Sequence, residues 1–191
     1  MQTKIRFFEV MAPIYDLVHF SRRNRTISCI EKKLKLNSKD TVLDLAGGTG
    51  RISLPLNKKV KKLFVVDASP KMLTVCARRQ LRCAHGYAEK IPFPNGFFDK
   101  IIIVDALHHF QDIESSIVEI KRVLKDRGTI FIEEVNPGGK FGTMLKFSEN
   151  ILKMNSRFYS PFELETIFLR HFERVDCQEL NKSFYTLVAR K

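Results

Sequence analysis

Short aliphatic runs alternate with helix-patterned segments along most of this chain, and the first run ends in a cluster of glycines. Residues 41–46 form a β-branched and aliphatic run stopped by Gly47-Gly48-Thr49-Gly50, and residues 63–67 form a second. A weaker run lies near 83–87, and another at 129–135 follows the turn Asp126-Arg127-Gly128. Residues 98–105 are read as a strongly apolar strand around the aliphatic run Ile101-Ile102-Ile103-Val104, as burial on both faces of a parallel sheet requires. Between the runs the period changes. Residues 51–58 predict a short helix with Pro55 in its first turn, and Ser69-Pro70 caps a helix running to about residue 81. Asp112 caps another, with Ile113, Ile117, Ile120 and Leu124 on one face. Residues 1–20 predict an amphipathic helix interrupted at Pro13. A second helix spans 26–36 with Ile27, Ile30 and Leu34 on one face. Residues 137–159 mix Gly138-Gly139 with a helical stretch through 152. A helix at 161–171 precedes two strands, 172–179 and 183–189, close enough for an antiparallel hairpin. Five β–α alternations and a hairpin predict a doubly wound, Rossmann-like α/β sheet with ligands at the carboxyl ends of its strands.

At 191 residues the chain suits one domain with a full core. No stretch approaches the roughly 18 apolar residues of a membrane span, and residues following Lys4 and Arg6 form no secretory segment. Cys29, Cys76, Cys83 and Cys177 make no CxxC pair and, with five histidines, no zinc spacing, so no metal is expected. Free thiols in a reducing, cytoplasmic setting are the expectation. The net charge of +12 is uneven: residues 1–82 carry 18 basic and 6 acidic side chains, the remainder 15 of each. The surplus gathers at Arg22-Arg23-Asn24-Arg25, Lys32-Lys33-Leu34-Lys35, Lys58-Lys59-Val60-Lys61-Lys62 and Arg78-Arg79-Gln80-Leu81-Arg82. These clusters are expected to form a solvated face away from the ligand-binding strand ends, with nucleic acid as a less favoured partner.

The loop Asp44-Leu45-Ala46-Gly47-Gly48-Thr49-Gly50 joins a strand to a helix, where glycine permits a sharp turn and close ligand approach. It lacks the Lys of a P-loop, and Ser53 stands where a dinucleotide GxGxxG would need its last glycine. Asp44 would repel a pyrophosphate but suits an ammonium group. Asp67, ending the second strand, can accept from ribose hydroxyls. Two carboxylates flanking a small-residue loop point to a nucleoside with a cationic amino-acid tail.

These residues resemble those of class I S-adenosylmethionine (SAM)-dependent methyltransferases, in the small-molecule branch that includes ubiquinone and menaquinone biosynthesis. The likeness covers residues 11–136. It rests on Val42 to Gly50, Val66 to Leu73, Ala88 to Phe93 with Phe98-Asp99, Asp105 to His109, Glu119 to Leu124, and Met11 to Asp16. The resemblance implies strand order 3-2-1-4-5-7-6 with the last strand antiparallel. It implies N-terminal cap helices (1–36), a cofactor core (37–136) and a variable substrate segment with the terminal hairpin (137–191), all in one domain. It implies SAM as cofactor and S-adenosylhomocysteine (SAH) as product. Asp44, Gly48 and Gly50 would shape the methionine pocket, Asp67 would hold the ribose, and Met72 and Ala88 would meet the adenine. Ala46, Gly47, Ala68, Glu89, Asp105 and Tyr15 complete the implied cofactor set. Tyr87 stands where the family usually has an Asp for the adenine amino group, and Arg51 where quinone methyltransferases often have an acidic residue.

In-line methyl transfer from a sulfonium needs alignment above all, with a base only for a hydroxyl or an acidic carbon. Asp105, His108 and His109 are the candidate bases, following the fourth strand; Phe158 and Tyr159 read as core. The expected reaction is methylation of a small organic acceptor, such as a quinone precursor. The alternatives are an RNA methyltransferase using the basic half and a non-catalytic SAM-binding module. The acceptor, the methylated atom and the oligomeric state are not legible in the sequence.

Overall fold

The computed structural model describes residues 2–12 and 22–191. The elements are α1 (Gln2–Met11), α2 (Arg23–Leu34), β1 (Thr41–Leu45), α3 (Ser53–Leu56), β2 (Lys62–Asp67), α4 (Pro70–Arg78) and β3 (Arg82–His85). They continue with β4 (Phe98–Val104), α5 (Ile113–Val123), β5 (Leu124–Val135), α6 (Lys140–Ile151), α7 (Pro161–Leu169), β6 (Arg174–Asn181) and β7 (Phe184–Arg190). The strands form one seven-stranded sheet in the order β3-β2-β1-β4-β5-β7-β6. Strands β1 to β5 pair in parallel, and β7 runs antiparallel to both β5 and β6. This is the expected order, with the last strand reversed because a short hairpin returns β7 into the gap beside β5.

Strand residues alternate between two packed layers. Leu43, Leu45, Ile101, Ile103, Ile130 and Ile132 face α5 and α7, against Ile117, Ile120, Leu164 and Phe168. Val42, Val65, Ile102 and Phe131 face the other way, against Ile30, Leu34, Leu56 and Cys76. Coverage on both faces is what makes β1 buried at every position.

Several boundaries depart from the sequence pattern for identifiable reasons. Helix α2 starts three residues early, and its buried stripe is Thr26, Ile30 and Leu34, a strict i, i+4, i+8 row. Thr26 belongs to that stripe because its hydroxyl donates to the buried Glu133 at 3.0 Å. Leu124 begins β5 instead of ending α5, pairing with Phe98 before the register shifts. The expected turn survives as an irregularity inside that strand, with Arg127 at φ 63°. Ser69 and Asp112 cap α4 and α5 as expected, accepting from Met72 N–H and Glu114 N–H. A reciprocal Ser160–Glu163 capping box starts α7.

The cysteine expectation is corrected. Cys76 on α4 and Cys83 on β3 form a disulfide, their Cα atoms 6.5 Å apart, because the tight α4–β3 connection packs helix and strand together. Cys29 and Cys177 are free. Among the described residues no helix is long and apolar enough to cross a membrane. The expected helix around Pro13, with Tyr15 and Asp16, lies outside the described residues beyond Ala12.

Candidate active site

A cleft of about 1060 Å³, measured out to open solvent, lies at the carboxyl ends of β1, β2 and β4 and is partly covered by Ile5 and Phe8 of α1. Its floor is the loop after β1. Ala46 and Gly48 both take φ 56° there, the left-handed region in which a side chain is unusual. A Cβ on Gly47 would fall 2.5 Å from Asp44 Cγ, so glycine is what lets the loop fold over that carboxylate. Asp44 is 2% exposed and accepts from Ser53 Oγ at 2.6 Å. Burial pushes its pKa up to about 6, against the opposing pull of the Ser53 hydrogen bond and the Arg51 charge.

Asp67, ending β2, accepts from the backbone N–H groups of Gly48 and Ser69, each at 2.8 Å. Burial raises its pKa while those donors oppose the rise. The carboxylate thereby ties the glycine loop to the start of α4 and still faces the cleft. On the far wall, Glu89 accepts from Gln111 N–H at 2.8 Å, joining the 88–90 turn to the segment before α5.

Beyond β4, Asp105 takes φ 52° and is ion-paired to Arg22 and to Arg51, the latter at 3.5 Å. The next strand supplies two consecutive buried carboxylates that point to opposite faces. Glu133 accepts from Arg25 and Thr26, each at 3.0 Å. Glu134 accepts from the N–H groups of Ala106 and Leu107 at 2.9 and 2.7 Å, and contacts His108 Nδ1 at 2.7 Å. Burial disfavours a charged His108, but Glu134 and Glu149 outweigh it and push the imidazole up to about 10. Phe158 stacks on the same ring, centroids 4.6 Å apart. His109 has its Nδ1 3.0 Å from Ser156 Oγ and its ring edge-on to Phe8.

Asp44, Ala46, Gly47, Gly48, Asp67, Ala68, Met72, Ala88, Glu89 and Asp105 all line the cleft, drawn together from the carboxyl ends of β1, β2, β3 and β4 and the four connections that follow them. Gly50 does not. Its place at φ 73° turns it behind the loop, where a Cβ would meet Leu81 Cδ1 at 2.4 Å, so its glycine serves backbone packing. Tyr15 lies outside the described residues. Of the three candidate bases, Asp105 and His109 reach the cleft, whereas His108 is buried behind it. The surface expectation for the first basic cluster is also corrected: Arg22 and Arg25 reach in to Asp105 and Glu133. Arg51, Glu133 and Glu134 were missed as site residues, since single charges inside a loop or strand carry no periodic signal. Tyr159 is core, as expected, and Phe158 lines a second cavity beside α6.

Acidic acceptors beside a glycine floor and an apolar wall match a ligand with cationic, ribosyl and adenine parts. A methyltransferase-domain family profile matches residues 43–132. The chain is 32% identical over 158 residues to a demethylmenaquinone methyltransferase of Thermus thermophilus, covering 73% of this chain and 70% of that one. The chain belongs to the class I SAM-dependent methyltransferases. It is also 30% identical over 176 residues to the ubiquinone/menaquinone biosynthesis C-methyltransferase UbiE of Coxiella burnetii, covering 84% of this chain and 65% of that one. In fold it matches a SAM-dependent methyltransferase of Thermotoga maritima, a possible histamine N-methyltransferase. That match has TM-score 0.82 and 23% identity, over 97% of this chain and 99% of the other.

The donor set fits the family's cofactor. Asp44 and Asp67 offer acceptors for an ammonium and a ribose, and the bare Gly48 leaves the space between Met72 and Asp67 open.

Proposed function

We propose that this methyltransferase methylates a small, largely apolar acceptor of the quinone-precursor type. The carrying observation is that His109, on the cleft wall, contacts Ser156 and Glu149, which line a second cavity together with Phe147, Asn150 and Phe158. SAM supplies an electrophilic methyl carbon on a sulfonium. On this reading Asp44 holds the ammonium end, Asp67 the ribose, and Met72 and Ala88 flank the adenine. Asp105 keeps its paired carboxylate as an electrostatic element near the sulfonium, and its engagement with Arg22 and Arg51 leaves His109 as the side chain that meets the acceptor. Residues 1–36 act as a cap, 37–136 as the cofactor core and 137–191 as the acceptor segment.

An apolar acceptor is favoured by the outward face of α6, where Phe147 of the second cavity is flanked along the helix by Met144 and Ile151, each of the three at least 60% exposed. The relatives named for quinone biosynthesis agree with that chemistry. An RNA acceptor is disfavoured by the inward use of Arg22 and by the pairing of Arg25 with Glu133, which withdraws one cation of this cluster from a phosphate-binding surface and neutralises another. Calorimetry with SAH, followed by turnover against demethylated quinones and a metabolite panel, tests the reading. Absence of SAH binding at millimolar concentration would sink it; binding without turnover on any acceptor would favour a non-catalytic SAM-binding module.

A further inference from the structure

Glu149 on α6 is 7% exposed, and its Oε2 has no hydrogen-bond partner among the described residues. Its Oε1 lies 3.6 Å from His108 Nε2 and 3.9 Å from His109 Nε2. Both separations are too long for hydrogen bonds. They are close to the roughly 3.4 Å edge of a tetrahedron of ligands around a zinc ion. Ligand-capable atoms of all three residues lie within 4.8 Å of one another. Each imidazole is already oriented through its other nitrogen, His108 Nδ1 by Glu134 at 2.7 Å and His109 Nδ1 by Ser156 Oγ at 3.0 Å. Metal-binding histidines are held this way, with an outer acceptor fixing the ring so that the remaining nitrogen faces the ion. Charge balance agrees. Among the described residues, the ion partners of the buried Glu134 and Glu149 are these histidines, and a single imidazolium would offset one carboxylate of the two. A divalent cation on neutral imidazoles offsets both.

We propose that His108 Nε2, His109 Nε2 and Glu149 bind one divalent cation of the zinc class, with Glu134 and Ser156 as outer hydrogen-bond partners. Two imidazoles and a carboxylate form a donor set that zinc takes where its fourth position stays open. His109 lines the cofactor cleft, while Glu149 and Ser156 line the second cavity, so the cation sits between the two spaces. An oxygen donor such as a phenol or enol hydroxyl is the ligand class for the fourth position, and the cation would increase its acidity. That use on an acceptor rests on the methyl-transfer reading; cation binding does not.

The test uses the full chain, stripped with chelator and titrated with zinc chloride by calorimetry, with metal content measured by mass spectrometry. One zinc per chain is expected, and Glu149→Gln should lower affinity by at least ~100-fold. Glu134→Gln, which keeps an oxygen acceptor for the Ala106 and Leu107 N–H groups but loses the charged partner of His108 Nδ1, should lower it by about 10–100-fold. Cobalt loading of the wild type keeps the test open if a variant fails to fold, the expected result being the intense visible absorption of a four-coordinate site. Substoichiometric uptake by the wild type, or equal uptake by a folded Glu149→Gln, overturns the proposal. SAH binding on the same preparation is read separately: zinc without SAH defeats the methyl-transfer reading alone, and SAH without zinc defeats the cation site alone.

Discussion

Asp44 is a buried carboxylate with Ser53 Oγ as its hydrogen-bond donor, and its elevated pKa of about 6 makes it sensitive near neutrality. If it holds the ammonium of SAM, ligand binding requires its charged form. SAH affinity should then be constant above pH 7 and fall by about tenfold per unit as pH drops below 6, measured by calorimetry across pH 5–8. The sign for folding is opposite. A carboxyl whose folded pKa lies above its unfolded value binds its proton more readily when folded. The free protein should therefore gain stability through Asp44 as pH falls from about 6 toward the ordinary carboxylate range near ~4. Asp67 differs because two backbone N–H groups already converge on it. Asp67→Ala should weaken SAH binding at least ~10-fold by removing a charged acceptor, and should loosen the glycine loop as well. Both aspartates were legible as candidates from residue type and spacing at the ends of β1 and β2, and both line the cleft. His109 was legible as a candidate base, but the burial of His108 was not: of these adjacent residues in a 3₁₀ turn only His109 lines the cleft, although the two rings lie 4.0 Å apart.

At the scale of elements, α6 is the segment whose pattern was weakest, and its placement depends on contacts far along the chain. A Cβ on Gly139 would lie 2.0 Å from Lys182 O, and one on Gly142 would lie 2.1 Å from Asn136 O. Backbone there is packed against backbone, so nothing flexible can yield. Gly142→Ala should destabilise the protein by about 1–3 kcal/mol in urea unfolding and shift Glu149 away from His108 and His109. The buried polar link between the hairpin and the segment before α7 is milder: Tyr185 Oη donates to Tyr159 O at 2.9 Å, and Tyr185→Phe should cost about 1 kcal/mol by the same measurement. Elements with a clean period, β1, β2, β4 and α5, were readable because burial on defined faces imposes that period. The start of β5 was not, since Leu124 satisfies the helix stripe and the strand equally and only pairing with Phe98 decides between them.

For the molecule as a whole, the four loops that line the cleft are ordered by one sheet, so ligand binding should stabilise the entire fold. Saturation with SAH at 100 times its Kd should add about 2.7 kcal/mol. For a chain of this size that raises the unfolding temperature by roughly 5–10 °C in scanning calorimetry. The net charge of +12 has a different standing in the folded protein than along the chain, because Arg22 pairs with Asp105 after β4 and Arg25 with the buried Glu133 of β5. By itself the sequence determined the α/β alternation, the strand order through its family resemblance, and the cofactor loop, because each depends on local period or on residues a few positions apart. Tertiary structure alone decided that Glu133 and Glu134 are buried anchors and that Cys76 reaches Cys83. It also decided that Gly50 packs behind the loop and that Glu149 comes to rest beside two histidines forty residues earlier. Such pairings span elements that meet only when the sheet closes, and no local pattern encodes the distance between them.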